Sequence, residues 1–332
     1  MIKKILKILF YLALFIVILF FLLSFGKNPS SISYGLTFSK TYSDYLGVPF
    51  KETYISILDD LKVRKLRLMA YWPQTEPSKN VFDFVDLDFQ IEEAQKRKAE
   101  VILAIGRRLP RWPECHVPSW AKGELWQDQK KELFVYLEKV VERYKGYENI
   151  KYWQVENEPF LSVFAYENCG DLDKDFLKEE IALVKKLDPS RPVLLTDSGN
   201  LGLWKSAWQL GDVFGTSVYV YLWNPMVGEI KSIYWPSFYK VKKNLMSLIY
   251  GPKKSLLIEL SLEPWLLEPI INAPIDIQIS RMDVSKFDEV IGFAKKTGFD
   301  EQYLWGVEWW YFMKDKGHPE YLEKAGDIFS KN

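Results

Sequence analysis

The chain has 332 residues, 48% hydrophobic and 27% charged, which is enough for one large core. Its 44 basic and 44 acidic side chains cancel, so nothing in the charge balance points to nucleic acid or to a strongly acidic partner. Two His and two Cys are too few and wrongly spaced for a zinc site, and there is no glycine-rich phosphate loop, so no metal, nucleotide or other cofactor is expected.

The N-terminus differs in character from the rest of the chain. Ile8 to Gly26 is uncharged and almost wholly apolar. At about 1.5 Å per residue it nearly spans a hydrocarbon core of roughly 30 Å. Lys3, Lys4 and Lys7 precede it and only Lys27 follows closely, which keeps the N-terminus cytoplasmic. The run is long for a cleaved signal peptide and lacks a clear cleavage site, so the reading is an uncleaved single-pass anchor, with a signal peptide as the alternative. Either exports the rest. Residues 1–28 are read as anchor and linker, and 29–332 as one catalytic domain.

From Ser33 the chain alternates short apolar strands with amphipathic helices. Strands are predicted at Ile32–Phe38, Val63–Met69, Glu100–Ile105, Ile150–Val155, Pro192–Thr196, Val213–Tyr219, Ser255–Leu260 and Gln302–Glu308. The helices between them are predicted at Lys51–Lys62, Asp86–Lys98, Gln127–Tyr144, Asp173–Leu187, Leu203–Leu210, Pro236–Ile249, Val284–Lys296 and Pro319–Ser330. Eight strands, each followed by a helix, imply an α/β fold of the (β/α)8, or TIM, barrel type. A doubly wound open sheet is the runner-up, but it would call for a nucleotide loop after the first strand. The long breaks all follow strands, which puts the elaborated loops on the C-terminal face, where such barrels carry their chemistry.

Unusual residues collect at those strand ends. Arg67 lies in strand two and Trp72 just after it, Arg107 and Arg108 follow strand three, and Asn157 and Glu158 end strand four. Tyr219 ends strand six, Glu259 lies in strand seven, and Glu308, Trp309 and Trp310 end strand eight. A buried strand that runs into Asn157-Glu158-Pro159 puts a carboxylic acid at the rim of a core, where burial can raise its pKa until it donates a proton. Glu259 is read as facing the same way as Leu257, by the two-residue period of a strand. It is preferred over Glu263, which lies past the strand core. Glu156 has the parity of Glu158 and is expected to pair with an arginine of strand two or three. Cys115 and Cys169 lie in adjacent loops of an exported domain, which suits a disulfide. His116 shares that rim, either lining a sugar subsite or bonded to backbone. Aromatics make up 16% of the chain, with 13 Trp, an excess that suits a groove stacking flat sugar faces.

Asn157-Glu158-Pro159 after strand four, paired with Glu259 on strand seven, resembles the clan A glycoside hydrolases, and most nearly the cellulase-like family 5 group. Tyr71-Trp72-Pro73-Gln74-Thr75-Glu76-Pro77 with Phe82-Asp83-Phe84 is similar to that clan's strand-two loop, and Trp305-Gly306-Val307-Glu308-Trp309-Trp310 to its strand-eight end. The loop from Arg107 to His116 departs from the family 5 pattern. The resemblance implies a retaining hydrolase of β-linked poly- or oligosaccharides, with Glu158 as acid/base and Glu259 as nucleophile. It implies that Arg67 holds Glu259 ionised, Asn157 bonds the sugar 2-hydroxyl, Tyr219 touches the nucleophile, and Trp309 or Trp310 floors the sugar subsite. A barrel that binds glycan without cleaving it, and a transglycosylase using the same residues, are the alternatives.

Overall fold

The computed structural model describes residues 2–24, 28–163, 165–170, 172–224, 226–266 and 268–330. Eight parallel strands close into a barrel: β1 (Ser33–Thr37), β2 (Lys65–Met69), β3 (Glu100–Ile105), β4 (Ile150–Val155), β5 (Val193–Asp197), β6 (Val213–Val218), β7 (Ser255–Ser261) and β8 (Glu301–Trp305). Each strand pairs with its sequence neighbours, and β8 returns to β1 through Ser33↔Glu301 to Leu36↔Leu304.

Alternation sorts the strand side chains into two cores. Ile102, Leu194, Val213, Leu256, Ile258 and Tyr303 pack inside the barrel. Leu66, Leu68, Val101, Leu103, Trp153, Val155, Leu195 and Phe214 point outward and pack under the helix ring. Gly35 on β1 makes room for the Tyr303 ring, since a Cβ there would stand 2.5 Å from it. Below this layer, Lys65 and Lys254 both reach Glu301, at 3.2 and 3.1 Å, and close the bottom of the barrel with charge.

Strand eight ends earlier than its sequence suggests. Gly306, at φ 120°, breaks the chain after Trp305, and Val307–Asp315 is a helix. Trp309, Trp310 and Met313 on it are fully buried. A short helix that is apolar on every side carries no 3.6-residue signal, so it reads like more strand. A short helix at Lys40–Leu46, a helix at Ile275–Arg281 and a two-stranded ribbon of Tyr221–Asn224 with Gly228–Lys231 also lie inside stretches that read as loop.

The N-terminal apolar segment forms a helix, Ile2–Ser24, that lies against the helix Pro236–Tyr250, where Asn244 Nδ2 donates to the Leu23 carbonyl at 2.8 Å. Phe25, Gly26 and Lys27 lie outside the described residues. Among the described residues no helix is long and apolar enough to cross a membrane, so the expected transmembrane anchor has no support from the fold.

Candidate active site

The site begins where β4 ends. Past Val155 the chain leaves the sheet through two residues with left-handed backbone, Glu156 at φ 57° and Glu158 at φ 43°. The turn is held by its own side chain: Glu156 accepts the backbone N–H groups of Arg107 and Arg108, at 2.7 and 2.6 Å. The arginine partner expected for Glu156 is thus replaced by two amides of the loop after β3. Its other neighbour is Glu180, buried on the helix Lys174–Leu187. Burial first, and Glu156 beside it second, push the Glu180 carboxyl well above its usual range.

One arginine organises the mouth. Arg67, on β2, is fully buried. Its Nε donates to Gln154 Oε1 at 2.8 Å, its Nη1 to Glu259 Oε2 at 2.9 Å, and its Nη2 to Asn157 Oδ1 at 2.6 Å. The fork therefore ties β4 to β7 across the barrel. Tyr219, just past β6, donates its hydroxyl to Glu259 Oε1. Both carboxyl oxygens of Glu259 are thus bonded, one to a guanidinium and one to a phenol.

The facing of Glu259 has a cause that period-two counting does not give. Leu256 and Ile258 point into the barrel, and Leu257 and Leu260 point out. Strict alternation would turn Glu259 outward with Leu257. The ladder with β6 instead slips a residue, from Thr216↔Leu257 to Ser217↔Glu259. This bulge re-aims the carboxylate into the mouth.

Glu158 is set up in the opposite sense. Its backbone N–H donates to Thr196 Oγ1 at 2.7 Å, and Ser217 Oγ donates to its Oε1 at 2.6 Å. Burial first, and the negative Glu259 second, push its carboxyl up to about 8, against a smaller downward pull from the Ser217 hydroxyl. Ser217 thus bonds one carboxyl with its side chain while its backbone pairs with the residue bearing the other. The mouth holds a carboxyl pushed upward by burial beside one bonded by a guanidinium and a phenol.

The loop after β3 arches over this cluster. Arg111 is 8% exposed, with its guanidinium 3.7 Å from the centre of the Tyr42 ring and 3.9 Å from that of Trp305. It donates to Glu263 and, at 2.6 Å, to Glu308 Oε2. Glu114 brings a further carboxyl toward Asn157, Arg108 and Glu259, and burial raises it to about 7. Cys115 is disulfide-bonded to Cys169, with Cα atoms 5.4 Å apart.

Several expected sugar contacts lie elsewhere. Trp72 is fully buried, its Nε1 bonded to Glu76 Oε2 at 2.8 Å. Trp309 and Trp310 are core residues bonded to Gln278 Oε1 and the Leu262 carbonyl, at 2.8 and 2.9 Å. Their rings cannot floor a sugar; nearer the mouth are Trp305, whose Nε1 donates to Glu263, and Trp265, whose ring meets that of Tyr219. Glu308 is sealed between Arg111 and the Ser39 amide. His116 packs on Tyr71, ring centres 4.4 Å apart, with Nε2 against the Arg111 carbonyl at 3.1 Å, so it braces the loop rather than an open subsite. Burial holds its ring down to about 4 and hence neutral.

Gln154, Thr196, Ser217, Arg111, Glu114 and Trp305 are site residues that the sequence reading passed over. Gln154 carried a signal, as a lone amide inside an apolar strand. Arg111 carried none, because its partners are 152 and 197 residues away. Among the described residues no group of three or more His, Cys, Asp or Glu could hold a metal ion.

No family model matches the sequence, and no curated protein matches it. The fold does find solved counterparts. Xylanase 10B from Thermotoga petrophila, in complex with xylobiose, is similar over 83% of this chain and 82% of its own, with a TM-score of 0.53 and 14% identity. A GH5_18 variant from Bifidobacterium longum, in complex with Manβ1-4GlcNAc, covers 82% of this chain and 68% of its own, with a TM-score of 0.58 and 10% identity. The AHE enzyme from Alicyclobacillus herbarius covers 85% and 89%, with a TM-score of 0.52 and 12% identity. At these identities the shared property is the eight-stranded parallel barrel. The chain resembles the clan A glycoside hydrolases in its fold as well as in its strand-end motifs.

Proposed function

We propose that this chain is a retaining glycoside hydrolase acting on a β-linked oligo- or polysaccharide. The observation that carries the reading is the opposed setting of two carboxyls: Glu158 is buried and held near 8, while Glu259 accepts from Arg67 and Tyr219. A carboxyl that keeps its proton at neutral pH beside a stabilised carboxylate divides acid from nucleophile. Glu259 attacks the anomeric carbon as Glu158 gives its proton to the leaving glycosidic oxygen, and a glycosyl-enzyme forms. Glu158, now ionised, takes a proton from water. The water oxygen bonds the anomeric carbon and Glu259 departs, with net retention. Such chemistry works with carboxyls about 5–5.5 Å apart. Asn157, already ordered by Arg67, is the donor for the sugar 2-hydroxyl. The sugars in the similar structures, xylobiose and Manβ1-4GlcNAc, support an oligosaccharide substrate.

The domain is proposed to work outside the cytoplasm, with the apolar Ile8 to Gly26 stretch as its export segment. The Cys115–Cys169 bridge supports this, since such bonds persist in oxidising compartments. Thiol alkylation of protein denatured straight from its host should leave both cysteines unmodified; two alkylated cysteines would overturn the localisation.

Glu259→Gln tests the catalytic reading. Turnover of activated aryl β-glycosides should fall by about 10⁴-fold or more, with glycan binding retained. A variant that keeps full rate removes Glu259 from the role.

A further inference from the structure

We propose that the loop from Arg107 to His116 closes the glycone side of the mouth, making the enzyme exo-acting: it removes single sugars from non-reducing ends. This rests on the hydrolase reading above and adds a mode of attack to it.

The position of the leaving group sets the direction of the sugar chain. Glu158 must stand next to the glycosidic oxygen it protonates, so the leaving portion lies over β4, β5 and β6, where Thr196 and Ser217 hold Glu158. The sugar under attack lies on the other side of Glu259, toward β7, β8 and β1. An endo-acting cleft would continue in that direction to seat further sugars.

Here that direction is filled. Arg111 reaches over from the β3 loop and spans to residues that follow β7, end β8 and follow β1: Glu263, Glu308, Trp305 and Tyr42. Its guanidinium covers the faces of both Trp305 and Tyr42. Displacing Arg111 would strand Glu308, which is fully buried, and expose two ring faces. The loop is clamped along its length. Glu156 grips the amides of Arg107 and Arg108, Tyr71 donates to the Pro110 carbonyl at 2.8 Å, and Cys115 is bonded to Cys169. It is a wall, not a lid.

The closed end selects a chain terminus. Glu263 Oε2 and Arg111 Nε both lie inside the wall, out of reach of a sugar, so the selection is by shape. A terminal sugar fits in front of the wall, whereas an interior one would drive its next unit into Arg111 and the ring of Trp305.

The test uses p-nitrophenyl β-glycosides of glucose, mannose, galactose, xylose and N-acetylglucosamine, each hexoside also as its 4,6-O-benzylidene acetal. The free glycoside that is turned over should lose about 100-fold or more in kcat/KM when capped. The matching oligosaccharide should shorten one unit at a time, and the matching polysaccharide should release reducing sugar with no fall in viscosity. Capped hexosides turned over within about threefold of the free ones, or early products of mixed length, would overturn the inference. Arg111→Gly should regain turnover of the capped form; if that variant fails to fold, the wild-type product pattern still decides. Failure of the hydrolase reading looks different: no glycoside turned over and no carboxyl labelled by the 2-fluoro analogues, in which case both readings fall.

Discussion

The mouth of this barrel is held by two buried arginines that do opposite jobs. Arg67 sits on a strand, and its three bonds reach Gln154, Asn157 and Glu259, all on or at the end of β4 and β7. Arg111 sits in a loop, and its ion-pair partners lie in the segments after β7 and β8. The first orders the groups proposed to react, and the second fills the space around them. The contrast teaches where each kind of information resides. Groups that must be placed to a fraction of an ångström stand on the rigid sheet, and groups that restrict access come from a loop tied down by charge and by a disulfide.

The sharpest way to break that contrast is to exchange the consequences. Arg67→Met should cost about 10²–10³-fold in kcat on an aryl glycoside, because the negative charge on Glu259 loses its fork. If Arg67→Met kept its rate while Arg111→Ala lost it, the two roles would be reversed. Arg111→Ala should keep kcat/KM for a terminal aryl sugar within about tenfold, while stability falls by about 3–5 kcal/mol from the unpaired buried Glu263 and Glu308. Chemical denaturation of both variants reads this directly. Reducing Cys115–Cys169, which closes a loop of sequence separation 54, should lower the melting temperature by several degrees, with a chain-entropy ceiling of about 4 kcal/mol. An unchanged melting temperature would mean that the loop is held by ion pairs alone.

The smallest effect belongs to the Arg67 side. The Ser217 hydroxyl bonds the Glu158 carboxylate and so favours its ionised form. Removing it in Ser217→Ala raises the Glu158 pKa. The general acid must be protonated to act, so kcat/KM falls as pH rises through that pKa, near 8 in the parent. The alkaline limb of the variant should move to higher pH, by about one unit or less. A shift to lower pH would contradict the assignment of Glu158 as the acid.

The same contrast explains what could be read from the amino acids alone. Strands three and four were legible to the residue, Glu100–Ile105 and Ile150–Val155, because short, mainly apolar runs between amphipathic helices have few other readings. Glu158 and Glu259 stood out as carboxylates ending such runs. The orientation of Glu259 was not legible, since it depends on a one-residue slip against β6 that leaves no mark in β7 itself. Trp309 and Trp310 were misplaced for a related reason: their helix is buried all round, and only Gly306 separates it from the strand. The Arg111 loop was illegible because its meaning lies in contacts with Glu263 and Glu308, which sequence spacing does not reveal.

The central claim is that Glu259 forms a covalent bond to the sugar while Glu158 supplies the proton. Activated 2-fluoro β-glycosides test it most directly, by intact mass and peptide mapping of the domain from about residue 28 onward. The expected result is a mass increase of one fluorosugar, located on the β7 peptide at Glu259 and absent in Glu259→Gln. Turnover of the parent glycosides with no trapped adduct, or an adduct on any other carboxylate, would contradict it.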